Sequence, residues 1–461
     1  VTINHKTPHY HFIGIGGMGM SALAIFALQK GYHVSGSDLQ SSDLTRKLQK
    51  LGAKVAIGHH ADHLSHPDAI IYTSAMSKDN PEYQKALAQN IPIFHRAEFL
   101  AFLAEDYPEL IAITGTHGKT TITSLIAHIM NEAGLNPSFI NGGLANNFVH
   151  HAHASDSQYM IIEADESDAS FLKIHPKHII ISNVDLDHMQ TYQHQIDLLI
   201  YSFAKFATQP NVSGEILIGS DSSSAYQLIK RIKMQKPQAL HYGLQQDMDV
   251  YIKNFKQSKV YANFDVMSGT TLIDGFLSKL PGRHNAENAL AAIALCLKFG
   301  IDVNLIKKAL LSFKGIYRRF NHYQTTINTH NIDLIDDYGH HPVEIQSTLD
   351  AIQIEFPKRR LIHIYQPHRY TRTRDLFNDF IACLKNSDVL ILMRTYAASE
   401  APIDGAHAID LFNQLKKSHH NCFYVDTNEE TSHLLNKLVA QNDVILVQGA
   451  GDIAKLVDLL V

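Results

Sequence analysis

Three times along the chain, short runs rich in β-branched residues alternate with stretches whose apolar positions recur at helical spacing. That is the pattern of parallel sheets flanked by helices. The first series predicts strands at His11–Ile15, Tyr32–Val34, Lys54–Ile57 and Ala69–Tyr72, with helices at Met20–Lys30 and Asp43–Leu51. A second predicts strands at Leu110–Thr114, Tyr159–Glu163, His178–Ser182 and Glu215–Ile218. Around Tyr251–Ile273 strands separated by turn residues, among them Ser268-Gly269, predict a small antiparallel insertion, and a helix over Asn285–Phe299 follows. The third series places strands at Ile332–Ile335, Arg360–Tyr365, Val389–Met393, Cys422–Val425 and Val444–Val447.

The pattern breaks near Asp106-Tyr107-Pro108, where a helix ends, and at Gly315, between an amphipathic helix and Arg318-Arg319. The expected domains are therefore 1–106, 107–315 and 316–461. The fold class is α/β, with three domains in series: a Rossmann-like N-terminal domain, a P-loop-type central domain carrying the insertion, and a Rossmann-like C-terminal domain. Composition narrows the class further. The 461 residues, 45% hydrophobic, can bury more than one core without disulfides or metals as staples. A formal charge of -5 gives no global basic field for nucleic acid or an anionic membrane. Three widely spaced cysteines (Cys296, Cys383, Cys422) fit a reduced compartment. The N-terminal residues lack a secretory pattern and no apolar run is long enough to span a bilayer, so a soluble, cytoplasmic protein is expected.

The strongest chemical signal follows the buried-strand pattern Ile111–Thr114. Gly115-Thr116-His117-Gly118-Lys119-Thr120-Thr121 runs straight into a helical stretch. Backbone N–H groups and the positive end of a helix face an anion there. Lys119 is expected to reach the β/γ-phosphates of a nucleotide, and the Thr120 hydroxyl can ligate Mg²⁺. Ile113 stands where the common P-loop has its first glycine, so this loop is a shorter variant. Further Mg²⁺ ligands are expected at neighbouring strand ends, where Glu163 and the segment Asn183–His188 lie.

A second glycine loop, Gly14-Ile15-Gly16-Gly17-Met18-Gly19, opens the first domain, with Asp38 within range of a ribose hydroxyl. It reads a diphosphate beside a nucleoside. NAD, FAD and a UDP-sugar all offer one, and the loop alone does not choose. Two clusters in the third series are rich in anion-holding groups: Asp336-Asp337-Tyr338-Gly339-His340-His341-Pro342 and Gln366-Pro367-His368-Arg369-Tyr370-Thr371-Arg372-Thr373. They are expected on adjacent strand ends, with Arg369 and Arg372 offering forks to a carboxylate or phosphate. The histidines at 59, 60, 63 and 66 and at 150, 151 and 153 lack partners at zinc spacing and are expected on solvated faces.

Over nearly its whole length the chain resembles the Mur ligases, ATP-dependent amide-forming enzymes of peptidoglycan synthesis. Thr114–Thr121 is similar to that family's phosphate loop, and Glu163 and His188 match its Mg²⁺-binding Glu and His. His284-Asn285-Ala286-Glu287-Asn288 resembles its motif near the adenine, and Arg319 its γ-phosphate arginine. Gly14–Ser21, Glu163–Asp168, Asp336–Pro342 and Gln366–Thr373 resemble the branch that adds L-alanine. The resemblance implies that UDP-N-acetylmuramate sits on Gly14, Gly16, Gly17, Met18, Gly19 and Asp38, with Ser74, His95 and Arg96 beside it. It implies catalytic roles for Lys119, Arg319 and His188, and ATP contacts at residues 115–121, His284, Asn285, Asn288 and Asp337. L-alanine is implied among Tyr338, His340, His368, Arg369 and Arg372, and the carboxylate is activated as an acyl phosphate. A monomer or weak homodimer with small-molecule substrates is expected. Gln190 departs from the usual Asp, and Lys205 lies where other members carry a carbamylated lysine but is not assigned one. The competing readings are a tripeptide-recycling ligase of the same family, a dinucleotide-dependent oxidoreductase built on the first loop, and a non-catalytic nucleotide-binding regulator.

Overall fold

The computed structural model describes residues 7–74, 76–185, 189–219, 222–258, 261–398 and 400–461. The chain divides into a larger unit (residues 1–255, 263–279 and 285–314) and a smaller one (256–262, 280–284 and 315–461).

The larger unit contains two sheets. The first has five strands in the order Lys54–Ile57, His33–Asp38, His9–Ile13, Ala69–Tyr72, Ile93–His95, every pairing parallel. Strand order reverses at His9–Ile13, so the glycine loop that follows it opens at the switch point where α/β ligand sites form. That strand ends at Ile13 and not at Ile15, because Gly14 turns to φ +79° and the amides of Gly14 and Ile15 both donate to Ser37 O.

The second sheet has ten strands, and within it Glu109–Thr114 is flanked by His178–Ile181 on one side and Tyr159–Glu163 on the other. This is again a switch point. Residues 110–114 are buried throughout, the signature of a strand covered on both faces. The expected insertion does not stand apart. Val250–Gln257 pairs parallel with Leu240–Gly243 and extends the same sheet, followed by Ala262–Ser268 and Thr271–Ser278. The link between those last two strands contains Gly269 at φ +57° and is short enough to join only antiparallel neighbours.

Helix Met18–Gln29 is buried continuously from Met20 to Ala27, more than an amphipathic surface helix allows. It packs against both Arg96–Ala104 of the first sheet's layer and Ala152–His153 of the second sheet. One apolar core, with Phe12, Phe26, Phe99, Phe171 and Phe206 fully buried, therefore runs through both sheets. Each such ring contributes about 1.5–3 kcal/mol by leaving water.

The smaller unit holds a six-stranded sheet. Its edge strand Asn321–Ile327 is antiparallel to His330–Asp337, and the other pairings are parallel. Ile445 and Val447 enter one apolar cluster and Val444 and Leu446 the other, the period-two division of a sheet covered on both faces. The structure corrects one expectation here. Val444–Gln448 lies between His330–Asp337 and Leu361–Tyr365, so the two polar clusters sit on strand ends separated by one strand. The cause is a late crossover that inserts the last strand into the middle of the sheet. All three cysteines are buried and free, and among the described residues no helix is long and apolar enough to cross a membrane.

Candidate active site

The loop after Glu109–Thr114 has backbone that only glycine allows. Gly115 sits at φ +119°, where a Cβ would lie 2.4 Å from Ser182 Oγ. Gly118, at φ +83°, caps the N-terminus of helix Lys119–Glu132, and a Cβ there would lie 2.3 Å from Asn288 Oδ1. Asn288 in turn donates weakly to Asn285 Oδ1 at 3.5 Å, so both asparagines stand at this loop. The strand end 182–185 braces its other side. The His117 amide donates to Asn183 Oδ1 (2.8 Å), and the Asp185 amide to Thr116 Oγ1 (2.9 Å). Thr121 is buried in the first helical turn. His188 lies outside the described residues.

Lys119 Nζ donates to Gly115 O (2.5 Å) and Thr116 O (3.2 Å), and both oxygens of the buried Glu166 lie 3.0 Å away. Burial pushes Glu166 up to about 7 and Asp165 adds to this, against the pull of Lys119. Burial likewise opposes ionisation of Asp165, but Arg96 and Lys119 outweigh it and hold that carboxyl below its usual range. The lysine is thus parked on a buried carboxylate that takes up a proton more readily once the ammonium leaves it for an arriving phosphate. The Thr120 hydroxyl donates to Glu163 Oε2 (2.9 Å), which also accepts the Gly142 amide (2.8 Å). A hydroxyl and a carboxylate meeting at one corner fit Mg²⁺, a hard cation that takes few protein oxygens and completes its shell with water and phosphate.

The first glycine loop is held differently. The Gly16 amide donates to Asp38 Oδ2 (2.8 Å), the Gly17 amide to Gly14 O (3.2 Å), and the helix begins at Met18, which is partly exposed. Arg96 Nη2 pairs with Asp165 Oδ2 at 2.7 Å and lies 3.6 Å from Asp168 Oδ2. Ser74 donates to the same Asp168 oxygen (2.9 Å), and its hydroxyl lies 2.9 Å from His95 Nε2. A cavity of about 260 Å³ is lined by Gly19, Arg96, Lys119, Asn141, Gly142 and Glu163, among others. Residues from both loops therefore face one space.

In the smaller unit, Tyr338, His340, His368 and Arg372 form a chain of contacts. The rings of Tyr338 and His340, and of His340 and His368, are each 5.4 Å apart, and Arg372 Nη1 is 3.5 Å from His368 Nδ1. Arg319 lies over the Tyr338 ring at 5.3 Å and pairs with Glu344 at 2.9 Å. Burial pushes His340 down to about 4 and His368 to about 3, so both present neutral nitrogens. Arg369 holds a left-handed φ of +72° while its amide donates to Tyr396 O, strain of the kind that collects at functional sites. Asp337 is already satisfied from within the unit by Phe320, Gly339, Thr348 and Gln448. His284, also in this unit, is exposed.

Sequence reasoning gave no role to Asp165, Glu166, Asp168, Asn141 or Gly142. The first three lie in the motif Glu163–Asp168, and the Asn-Gly pair follows the short strand Ser138–Ile140, too brief to register by pattern. The histidine expectation needs correction. His60 and His66 are exposed, but His59 and His63 face the buried Glu82, and His151 is buried with Nε2 3.0 Å from Ser21 Oγ. The reason is local: a buried carboxylate and a buried hydroxyl draw imidazoles in to complete their hydrogen bonds.

Family models match the chain in consecutive blocks: "Mur ligase family, catalytic domain" over residues 9–108, "Mur ligase middle domain" over 113–296, and "Mur ligase, glutamate ligase domain" over 318–451. A UDP-N-acetylmuramate–L-alanine ligase of Nitrosospira multiformis is 40% identical, covering 98% of this chain and 93% of the relative. That of Hydrogenovibrio crunogenus is 38% identical, covering 98% and 97%. The structure of a UDP-N-acetylmuramate-alanine ligase from Thermotoga maritima superposes with a TM-score of 0.83 at 28% identity over 98% of both chains. A murein peptide ligase from Psychrobacter arcticus gives 0.71 at 21% identity over 98% of both, a likeness of fold.

Proposed function

The chain belongs to the Mur ligase family, and from that premise we propose that it joins L-alanine to the lactyl carboxylate of UDP-N-acetylmuramate at the expense of ATP. The observation that carries this reading is the shared cavity, in which Lys119 and Glu163 of the phosphate loop's surroundings face Gly19 and Arg96 of the UDP-sugar domain. A phosphoryl donor and a sugar-borne carboxylate meet there.

A carboxylate resists amines because its oxygen is a poor leaving group. One carboxylate oxygen attacks the γ-phosphorus of ATP, ADP departs, and an acyl phosphate forms. The neutral amine of L-alanine then attacks the acyl carbon. The tetrahedral intermediate gives up one amine proton to solvent and expels phosphate, leaving the amide, and that phosphate keeps the attacking carboxylate oxygen. Bringing these anions together demands cations and fixed dipoles, so positioning and electrostatics carry the catalysis. Lys119 leaves Glu166 for the β/γ-phosphates, and the amides of residues 118–120 at the helix N-terminus hold the phosphate oxygens. Arg319 of the smaller unit is assigned to the γ-phosphate, and Asn285 and Asn288 to the adenine side. Thr120 and Glu163, with His188, would hold Mg²⁺, which supplies charge neutralisation on the transferring phosphoryl group.

Arg96, with Ser74 and His95, orients the sugar-phosphate, while the Gly14–Gly19 loop and Asp38 hold the UDP. In the smaller unit Arg369 and Arg372 offer their forks to the alanine carboxylate, and the neutral imidazole of His340, whose Nδ1 faces Tyr338 O, accepts an N–H bond from its amine beside Tyr338 and His368. The work takes place in the cytoplasm, on small molecules, by a monomer or weak homodimer. The domain assignment that goes with this is 1–106 for the UDP-sugar, 107–315 for ATP and 316–461 for the amino acid.

The test is a heavy-oxygen label in the lactyl carboxylate. One labelled oxygen per turnover in the released phosphate is expected. Unlabelled phosphate accompanying amide formation would exclude the acyl phosphate.

A further inference from the structure

Glu82 takes no part in the reaction described above, yet it is a fully buried carboxylate in the UDP-sugar domain. It sits in the first turn of helix Pro81–Ala88, whose N-cap Asn80 accepts the Glu82 amide. Its Oε1 accepts from His63 Nδ1 (2.8 Å) and the His60 amide (3.4 Å). Its Oε2 accepts the Ser37 hydroxyl (2.5 Å), with His59 Nδ1 at 3.5 Å and His11 Nε2 at 3.6 Å. Burial alone would raise this carboxyl, but the nearby His11 ring and the bonds from Ser37 and His63 prevail and hold it down at about 2. A hydroxyl has one hydrogen. With that hydrogen given to Glu82, Ser37 Oγ accepts from His59 Nδ1 (2.8 Å), so the chain of bonds has a fixed direction.

Ser37 also connects this cluster to the first glycine loop. Its carbonyl accepts the amides of Gly14 (2.8 Å) and Ile15 (3.0 Å), and its neighbour Asp38 accepts that of Gly16 (2.8 Å). Both ends of the connection are buried: Ser37, like Glu82, has no exposed surface. The side chains packed nearby, Ile13, Leu64, Ile70 and Ala86, form a small apolar cluster. Apolar residues in place of the whole polar cluster would serve stability as well, since a buried charge is weak evidence for a stabilising role. What the carboxylate adds is a directed grip on the residue from which the loop hangs.

We propose that Glu82 is a positioning residue for UDP-sugar binding, acting through Ser37 to set the register of the Gly14–Gly16 amides. The inference rests on the reading that this loop holds the UDP. Glu82→Met removes both acceptor oxygens at similar volume, and Ser37→Ala cuts the same connection from the other end. Each raises KM for UDP-N-acetylmuramate roughly tenfold, the scale of one misplaced hydrogen-bonded contact. The double variant is no worse than the single ones, because both act on one connection. KM for ATP and for L-alanine, and kcat, stay within about twofold of wild type, since those sites hang from other strands. A purely structural role predicts the opposite pattern, a lowered Tm and active fraction with every KM unchanged, and that result overturns the proposal. Should Glu82→Met fail to accumulate as folded protein, Ser37→Ala decides alone by the same criterion. Asp38→Asn serves as the control on the premise. If it leaves KM for UDP-N-acetylmuramate unchanged, the loop reading itself fails. If it raises that KM while the other two variants do not, only the role of Glu82 fails.

Discussion

The larger unit contains the same device twice, a buried parallel strand, a glycine loop at a switch point and a helix, yet the two copies are equipped differently. The loop at Gly14–Gly19 carries no cation of its own, and three of its glycine amides are already committed, to Ser37 O, Asp38 and Gly14 O. The loop at Gly115–Thr120 ends in Lys119 and Thr120, which face Glu166 and Glu163. A rigid loop without a cation suits holding a diphosphate that does not react. A loop with a mobile ammonium and a hard-oxygen corner suits a phosphate that transfers. The fold supplies the anion hole in both; the side chains at the helix start decide whether chemistry follows.

Removing the ammonium is the most damaging way to erase that distinction. Lys119→Ala is expected to lower phosphate release by about three orders of magnitude or more while UDP-N-acetylmuramate binding persists. Near-normal turnover would mean the second loop is no more than a holder. Glu163→Gln, which spoils one hard-oxygen ligand, is expected to cost about a hundredfold in kcat and to move the Mg²⁺ titration upward; an unchanged titration would remove Glu163 from the metal's surroundings.

Gly16→Ala tests the other loop. Its Cβ would lie 2.8 Å from Asp38 Oδ2 and from Thr45 Cγ2, a crowding that displaces the loop. KM for the UDP-sugar should rise roughly tenfold with kcat retained, and an effect on KM for ATP instead would reverse the assignment of the two loops.

The smallest effect separates the loops by pH. Helix Met18–Gln29, which starts at the first loop, is held through Ser21 by His151, which burial pushes down to about 4. A histidine whose folded value is lowered gives its full contribution above its unfolded value of about 6.5. That contribution is lost as pH falls toward 4, by up to about 1.4 kcal/mol per pH unit. His151→Gln keeps a donor without the titration, so its Tm should fall less than that of wild type between about pH 7 and pH 5. Parallel losses would take His151 out of the account.

Much of this was legible along the chain. The strands Lys54–Ile57, Ala69–Tyr72, Tyr159–Glu163, Val389–Met393 and Cys422–Val425 coincide with the predicted ones, because each is a short apolar run between turn residues. Both glycine loops were legible for the same reason, as local sequences with a local geometric demand. The pairings Arg96–Asp165, Lys119–Glu166 and His63–Glu82 were not, because they join residues distant in sequence that only the packed fold brings together. The edge strand Asn321–Ile327 escaped for another reason. One face of it is exposed, so its polar positions mask the pattern.

On this reading a phosphoryl group passes from the contents of the second loop to those of the first, and the amide forms when L-alanine displaces it. Phosphate release with MgATP and UDP-N-acetylmuramate, measured in parallel with L-alanine and with an L-Ala-γ-D-Glu-containing tripeptide, tests it most directly. Release that depends on L-alanine is predicted; release with the tripeptide alone, or with neither acceptor, would contradict it.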